Sequence, residues 1–147
     1  VKKNLAVIFG CFLALGILVS ACSPSERADL AFDDAWVRPL PPGMKMTAGF
    51  GLLRNPAGES IEIVSFTSPE FGDVSLHRTE LTDGVSKMLE VRSLSIGAGE
   101  TAVLEPGGYH LMLMMPAVEI QPGHTVTIEL DTADGRRFSF SVPVERR

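Results

Sequence analysis

Apolar and polar residues alternate along most of this chain, and proline and glycine punctuate the alternation. Successive side chains of a strand point to opposite faces, so a period of two predicts β-strands. The predicted strands lie near Ala35–Arg38, Thr47–Arg54, Ser60–Thr67, Val74–Leu81, Lys87–Leu94, Ala102–Glu105, Tyr109–Met115, Thr125–Asp131 and Arg137–Val144. Between them lie PLPPG, NPAG, SPEFGD, TDG, GAGE, EPGG, QPGH and ADG, where proline presets φ and glycine accepts a positive one. No stretch sustains the apolar period of a helix, so no long helix is expected. Short strands with regularly spaced turns predict an all-β sandwich or barrel.

Two stretches resolve into faces. Within Val74–Ser93, Asp83-Gly84 sits between alternating segments, a strong hairpin signal. A two-residue turn there sets Thr79 opposite Met88, Glu80 opposite Lys87 and Leu76 opposite Val91. Val74, Leu76, Leu89 and Val91 then share the core face, and the tip extends past the core into water. Glu80 and Lys87 support this register as an opposite-charge pair, and a one-residue slip would split the apolar set between faces. His77, Met88 and Glu90 fall on the other face. In GGYHLMLMM, Gly107–Met115, one face holds Tyr109, Leu111, Leu113 and Met115. His110, Met112 and Met114 hold the other. Leucine marks the core side, so these three are expected on the outer side or at a sheet edge.

The N-terminal residues follow a different pattern. Lys2 and Lys3 precede LAVIFGCFLALGILV, Leu5–Val19, a basic and then apolar run of signal-peptide length. It is too short for a comfortable transmembrane helix. It ends in VSAC, Val19–Cys22, which resembles the lipobox of bacterial lipoproteins. The expectation is a signal peptide over 1–21, a lipidated tether over 22–34 beginning at Cys22, and one β-sandwich domain over 35–147. The chain would be lipid-anchored on the periplasmic side of a bacterial membrane. The alternative is an ordinary secretory signal with Cys22 incidental.

Processing before Cys22 would leave 126 of the 147 residues, enough for one domain with a core. Losing Lys2 and Lys3 takes the 13 basic residues to 11 against 18 acidic ones, a net charge of −7. No Lys/Arg cluster stands out, so a nucleic-acid partner is not expected. Cys11 leaves with the signal and Cys22 would carry lipid, so the domain has no free thiol and no disulfide. Any metal site there must do without thiolate.

Four residues stand out: His77, Met88, His110 and Met112. Two imidazoles and two thioethers could meet if their strands approach at one end of the sandwich. Thioether is a neutral, polarizable ligand, and soft ligands select Cu(I). Zinc takes Cys, His or carboxylate, and calcium and magnesium take oxygen. A blue-copper site needs a Cys thiolate. The donor set therefore points to one Cu(I) ion, with each His donating its second ring N–H to an outer acceptor. Glu90, opposite His77, is a candidate acceptor.

The spacing H-x10-M-x21-H-x-M resembles the metal motif of the periplasmic copper chaperone family PCuAC. AWVR at Ala35–Arg38, TAGF at Thr47–Phe50, ELTDGVSKM at Glu80–Met88, PGGYHLMLM at Pro106–Met114 and DGRRFSFSVPV at Asp134–Val144 agree with it. The resemblance covers nearly the whole processed chain. It implies a cupredoxin-like Greek-key β-sandwich in which these four side chains bind Cu(I). It further implies a metallochaperone, not an enzyme, that carries copper toward the binuclear copper site of cytochrome c oxidase subunit II, alongside Sco-type proteins. Two departures stand against the family pattern. Arg78 takes a place where members often have Met after the first His, and the sequence ends in VERR with no His/Met-rich tail. No tail-borne Cu(II) site is expected.

Other readings stay open. Met44 and Met46, in PPGMKMTAG, are an auxiliary soft site, a partner-facing patch, or simply a loop and strand edge. Met114 is spare ligation, shielding or packing. His124 reads as a solvated turn residue, and Trp36 and Tyr109 as packing residues. Rival functions are a metal-free β-sandwich lipoprotein that binds a protein or envelope partner, a copper redox enzyme, and copper storage or detoxification.

Overall fold

The computed structural model describes residues 29–147. The signal-peptide segment, Cys22 and the first part of the tether lie outside the described residues. Ten strands form the fold: β1 Ala31–Val37, β2 Met46–Arg54, β3 Ile61–Thr67, β4 Phe71–Thr82, β5 Val85–Glu90, β6 Leu94–Ile96, β7 Thr101–Leu104, β8 Tyr109–Pro116, β9 Thr125–Thr132 and β10 Arg137–Pro143. Among the described residues there is no helix. The all-β expectation holds.

The strands run in the order β1-β2-β7-β8-β4-β3-β9-β10, with β5 added to β4 and β6 to β3. β2 pairs with β7 through Gly51–Arg54 and with β8 through Met46–Gly49. β8 thus lies between β2 and β4, a central place for the strand with the histidine–methionine alternation. All these pairings are antiparallel except a short parallel contact between β7 and β8. A bridge between Val37 and Val144 brings the two ends of the order together, nearly closing the sheet on itself. The core fills the inside, with Val37, Leu53, Ile63, Leu111, Leu113, Val126 and Leu130 fully buried.

Two strands differ from the sequence expectation. β1 starts at Ala31, so Ala31–Asp34 belong to the sheet and not to the tether. Its alternation is broken by a bulge between Asp33 and Trp36, where Asp34 takes a positive φ. The expected strand Lys87–Leu94 is two strands, because the chain bends at Val91–Ser93 and passes from β4 to β3 as partner.

The Asp-Gly hairpin has the predicted register. Thr79 faces Met88 and Glu80 faces Lys87 across β4 and β5. Asp83 and Gly84 both have positive φ, as a type I′ turn requires. Val74 and Leu76 are buried, but Leu89 is exposed, so the arm leaves the core earlier than the pattern suggests. The Glu80 carboxylate pairs with Arg78 rather than Lys87. On β8, Leu111 and Leu113 are 0% exposed, as the leucine face requires. Met115 departs from that face: its φ is +54° and its side chain is exposed.

Candidate metal centre

The register of β4 against β8 sets His77 directly opposite His110, Ser75 opposite Met112 and Asp73 opposite Met114. The two imidazoles share the face turned away from the leucines, with ring centroids 6.1 Å apart. β5 brings Met88 to the same face, opposite Thr79. His110, Met112 and Met88 line one pocket of about 400 Å³, together with Thr79, Ala48 and Phe50. Three of the four candidate residues therefore share a pocket wall, and the fourth, His77, stands beside His110.

This outer face is not fully open to water. Trp36 packs on Phe50 at 4.7 Å, and the Arg38 guanidinium lies 5.3 Å from the Phe50 ring centre. Phe50 in turn lies 6.4 Å from His110. His110 is only 5% exposed, whereas Met88, on the hairpin arm, is 54% exposed. Burial is therefore graded across the site, from imidazole inside to thioether outside.

The hydrogen bonds separate the four ring nitrogens. His110 Nδ1 lies 3.1 Å from the Gly108 carbonyl oxygen, which can only accept. Nδ1 therefore carries the proton, and Nε2 keeps a free lone pair. His77 Nε2 lies 3.0 Å from Ser75 Oγ. His77 Nδ1 is buried and has no partner. A buried polar atom without a partner costs free energy, so an orphan of this kind calls for an explanation. A soft cation meeting the Nδ1 lone pair, with Nε2–H donating to Ser75, satisfies both nitrogens.

The outer acceptors thus differ from the expectation in one place. Glu90 is opposite His77 in the register, but the bond goes to Ser75, two residues back on the same face of β4. Ser75 is the site residue that the sequence reading overlooked, although its i, i−2 relation to His77 was the available signal. Arg78 points to the other face, its guanidinium 5.7 Å from the Tyr109 ring. A methionine there would not face the pocket, so this departure takes nothing from the site.

Met44 and Met46 line the same pocket, as do Pro41 and Arg38. Met114 is half-buried opposite Met46 and outside the pocket wall. His124 is exposed in its turn, with Nδ1 2.9 Å from the Glu119 carbonyl oxygen. Among the described residues no three His, Cys, Asp or Glu side chains converge as a metal-holding group. A metal held in this pocket would need the thioethers.

Residues 30–144 match the family described as "Putative lipoprotein LpqE-like". The chain is 34% identical over 138 residues to "Putative lipoprotein Lxx21020" of Leifsonia xyli, covering 92% of this chain and 81% of that protein. The solution structure of Cu(I)-DR1885 from Deinococcus radiodurans is similar with a TM-score of 0.68 and 28% identity, over 84% of this chain and 83% of that one. The copper-bound PCuAC domain from PmoF2 has a TM-score of 0.67 at 16% identity, over 82% and 96% of the two chains, a likeness of fold. The fold is the cupredoxin-like β-sandwich that the sequence motifs led us to expect. With its family match over almost the whole described region and PCuAC domains as structural neighbours, the chain belongs to the LpqE-like family of PCuAC-related proteins.

Proposed function

We propose that this protein is a Cu(I)-binding metallochaperone, with His77, Met88, His110 and Met112 as the ligands of one copper ion carried as cargo. The observation that carries the reading is the buried, partnerless Nδ1 of His77, beside a pocket walled by His110, Met112 and Met88. The likeness to the Cu(I)-loaded DR1885 supports the choice of metal.

The donor chemistry suits transfer. Gly108 holds the His110 imidazole with its Nε2 lone pair available, and a Ser75 hydroxyl that accepts from His77 Nε2–H leaves the Nδ1 lone pair for the metal. Both thioethers are neutral, so the bound ion keeps its positive charge in an apolar pocket beside Arg38. That charge is poorly compensated, and an acceptor offering a thiolate would bind the ion more strongly. Met88, being exposed, is the ligand that an incoming group can replace first. Ligand exchange needs no proton transfer, so no enzymatic step is assigned. Exposure of Met88 favours carriage over storage, since storage gains from enclosure.

The acceptors we assign are the binuclear copper site of cytochrome c oxidase and Sco-type proteins. The protein would work on the periplasmic side of a membrane, tethered through Cys22. The test is titration of the purified protein with Cu(I) against a competing chelator. One equivalent should bind tightly, and Met88→Leu combined with Met112→Leu should abolish that binding. Unchanged affinity in the double variant would overturn the reading.

A further inference from the structure

We propose that Met44 and Met46 hold a second soft monovalent metal ion on the outer wall of the pocket, a waiting position for Cu(I) on its way in or out. The proposal rests on the copper reading above and adds a site to it.

Local structure sets both side chains. Pro41-Pro42-Gly43-Met44 forms a turn in which the Met44 N–H donates to the Pro41 carbonyl at 3.1 Å. Proline stands second and glycine, with φ +78°, third, the pattern of a type II turn. The chain then enters β2. The Met115 N–H donates to the Lys45 carbonyl at 2.9 Å, and Met46 faces Met114. Residues two apart in extended chain share a face, so Met44 and Met46 emerge on the same side with Lys45 between them turned away. Both line the pocket.

Packing does not account for them. Met44 is 52% exposed and Met46 46% exposed, whereas Leu111 and Leu113 on the neighbouring strand are fully buried. Methionine normally enters a fold to fill core gaps. These two instead border a pocket whose wall already includes the thioethers of Met88 and Met112. Ala48 stands opposite Met112, so Met46, two residues before it, is the diagonal neighbour of Met112. Diagonal partners lie about 7–8 Å apart at the backbone, within reach of long side chains. Ala48, the small residue opposite Met112, lines the same pocket as both methionines. A metal can therefore pass from one thioether group to the other within one pocket.

The wall also selects the ion. No carboxylate or thiolate lines it, and Arg38 contributes a fixed positive charge. Coulomb repulsion by that charge is twice as large for a divalent ion as for a monovalent one. Thioether gives little to hard cations in return. Soft monovalent d10 ions are the class that remains.

The experiment uses Ag(I), a redox-inert soft monovalent ion, with the purified protein labelled at the methionine methyl groups and followed by NMR. The first equivalent should move the Met88 and Met112 methyls, and the second should move those of Met44 and Met46. Met44→Leu with Met46→Leu should keep the first event, lose the second, and slow Cu(I) transfer to a thiolate chelator at least about threefold. Met44 and Met46 methyls that stay still through four equivalents would overturn the proposal, as would a double variant that retains the second event. Motion of Met44 and Met46 with Met88 and Met112 unmoved would uphold the outer position and remove the chaperone site, so the two readings fail separately.

Discussion

β8 and β5 both supply candidate ligands, yet the fold holds them very differently. β8 is paired on both sides, by β2 and β4, and its leucines are 0% exposed. β5 is paired only with β4, and all six of its residues are exposed. His110 and Met112 thus sit on a strand that cannot shift without opening the core. Met88 sits on an arm whose position depends on one hairpin. Retention of a metal would come from the first strand, and release from the second.

The contrast can be broken most strongly by making one substitution in both places. Leu111→Ala empties space in the core and is expected to cost about 2–5 kcal/mol, read by chemical denaturation. Leu89→Ala on the arm should stay within about 0.5 kcal/mol. Equal losses would mean that the arm is part of the cooperative core. Next in size is Ser75→Ala, which leaves His77 without its outer partner. Loss of such a partner typically lowers metal affinity about 10–100-fold, and Cu(I) competition titration should show a drop in this range with little change in melting temperature. Gly84→Ala forces a side chain into the left-handed region, at about 1 kcal/mol. Amide exchange should quicken along β5 and remain slow on β8, and Cu(I) transfer should accelerate.

The smallest effect is expected between β9 and β10, which pair with neither of these strands. Arg137 donates two hydrogen bonds to Asp131, at 2.6 and 3.0 Å, and these hold its carboxyl below the ordinary value of 3.8. The folded protein thus gives up this proton more readily than the unfolded chain. The pair stabilises above pH 3.8, and its contribution is lost as pH falls through the lower folded value. Asp131→Asn should flatten the acid limb of the melting curve slightly and leave Cu(I) affinity alone. A change in affinity would show that the two ends of the sheet are coupled.

Much of this arrangement was legible in the residues, and the rest was not, for identifiable reasons. Alternation located the strands, and Asp83-Gly84 set the hairpin register, because turn chemistry is local. Adjacency of β4 and β8 is a long-range pairing that periodicity does not encode; only the motif spacing hinted at it. Burial of His110 depends on Phe50, which comes from another strand altogether. Ser75 escaped notice because a charged residue opposite His77 looked like the better acceptor. The start of β1 was hidden by a bulge that interrupts the alternation at Asp34.

β1 begins beside Arg54 and ends at Val37, next to Arg38 in the pocket wall. Seven residues at about 3.3 Å each put about 20 Å between those ends. A chain held through the residues before β1 would be gripped at the end of that strand farther from the pocket wall.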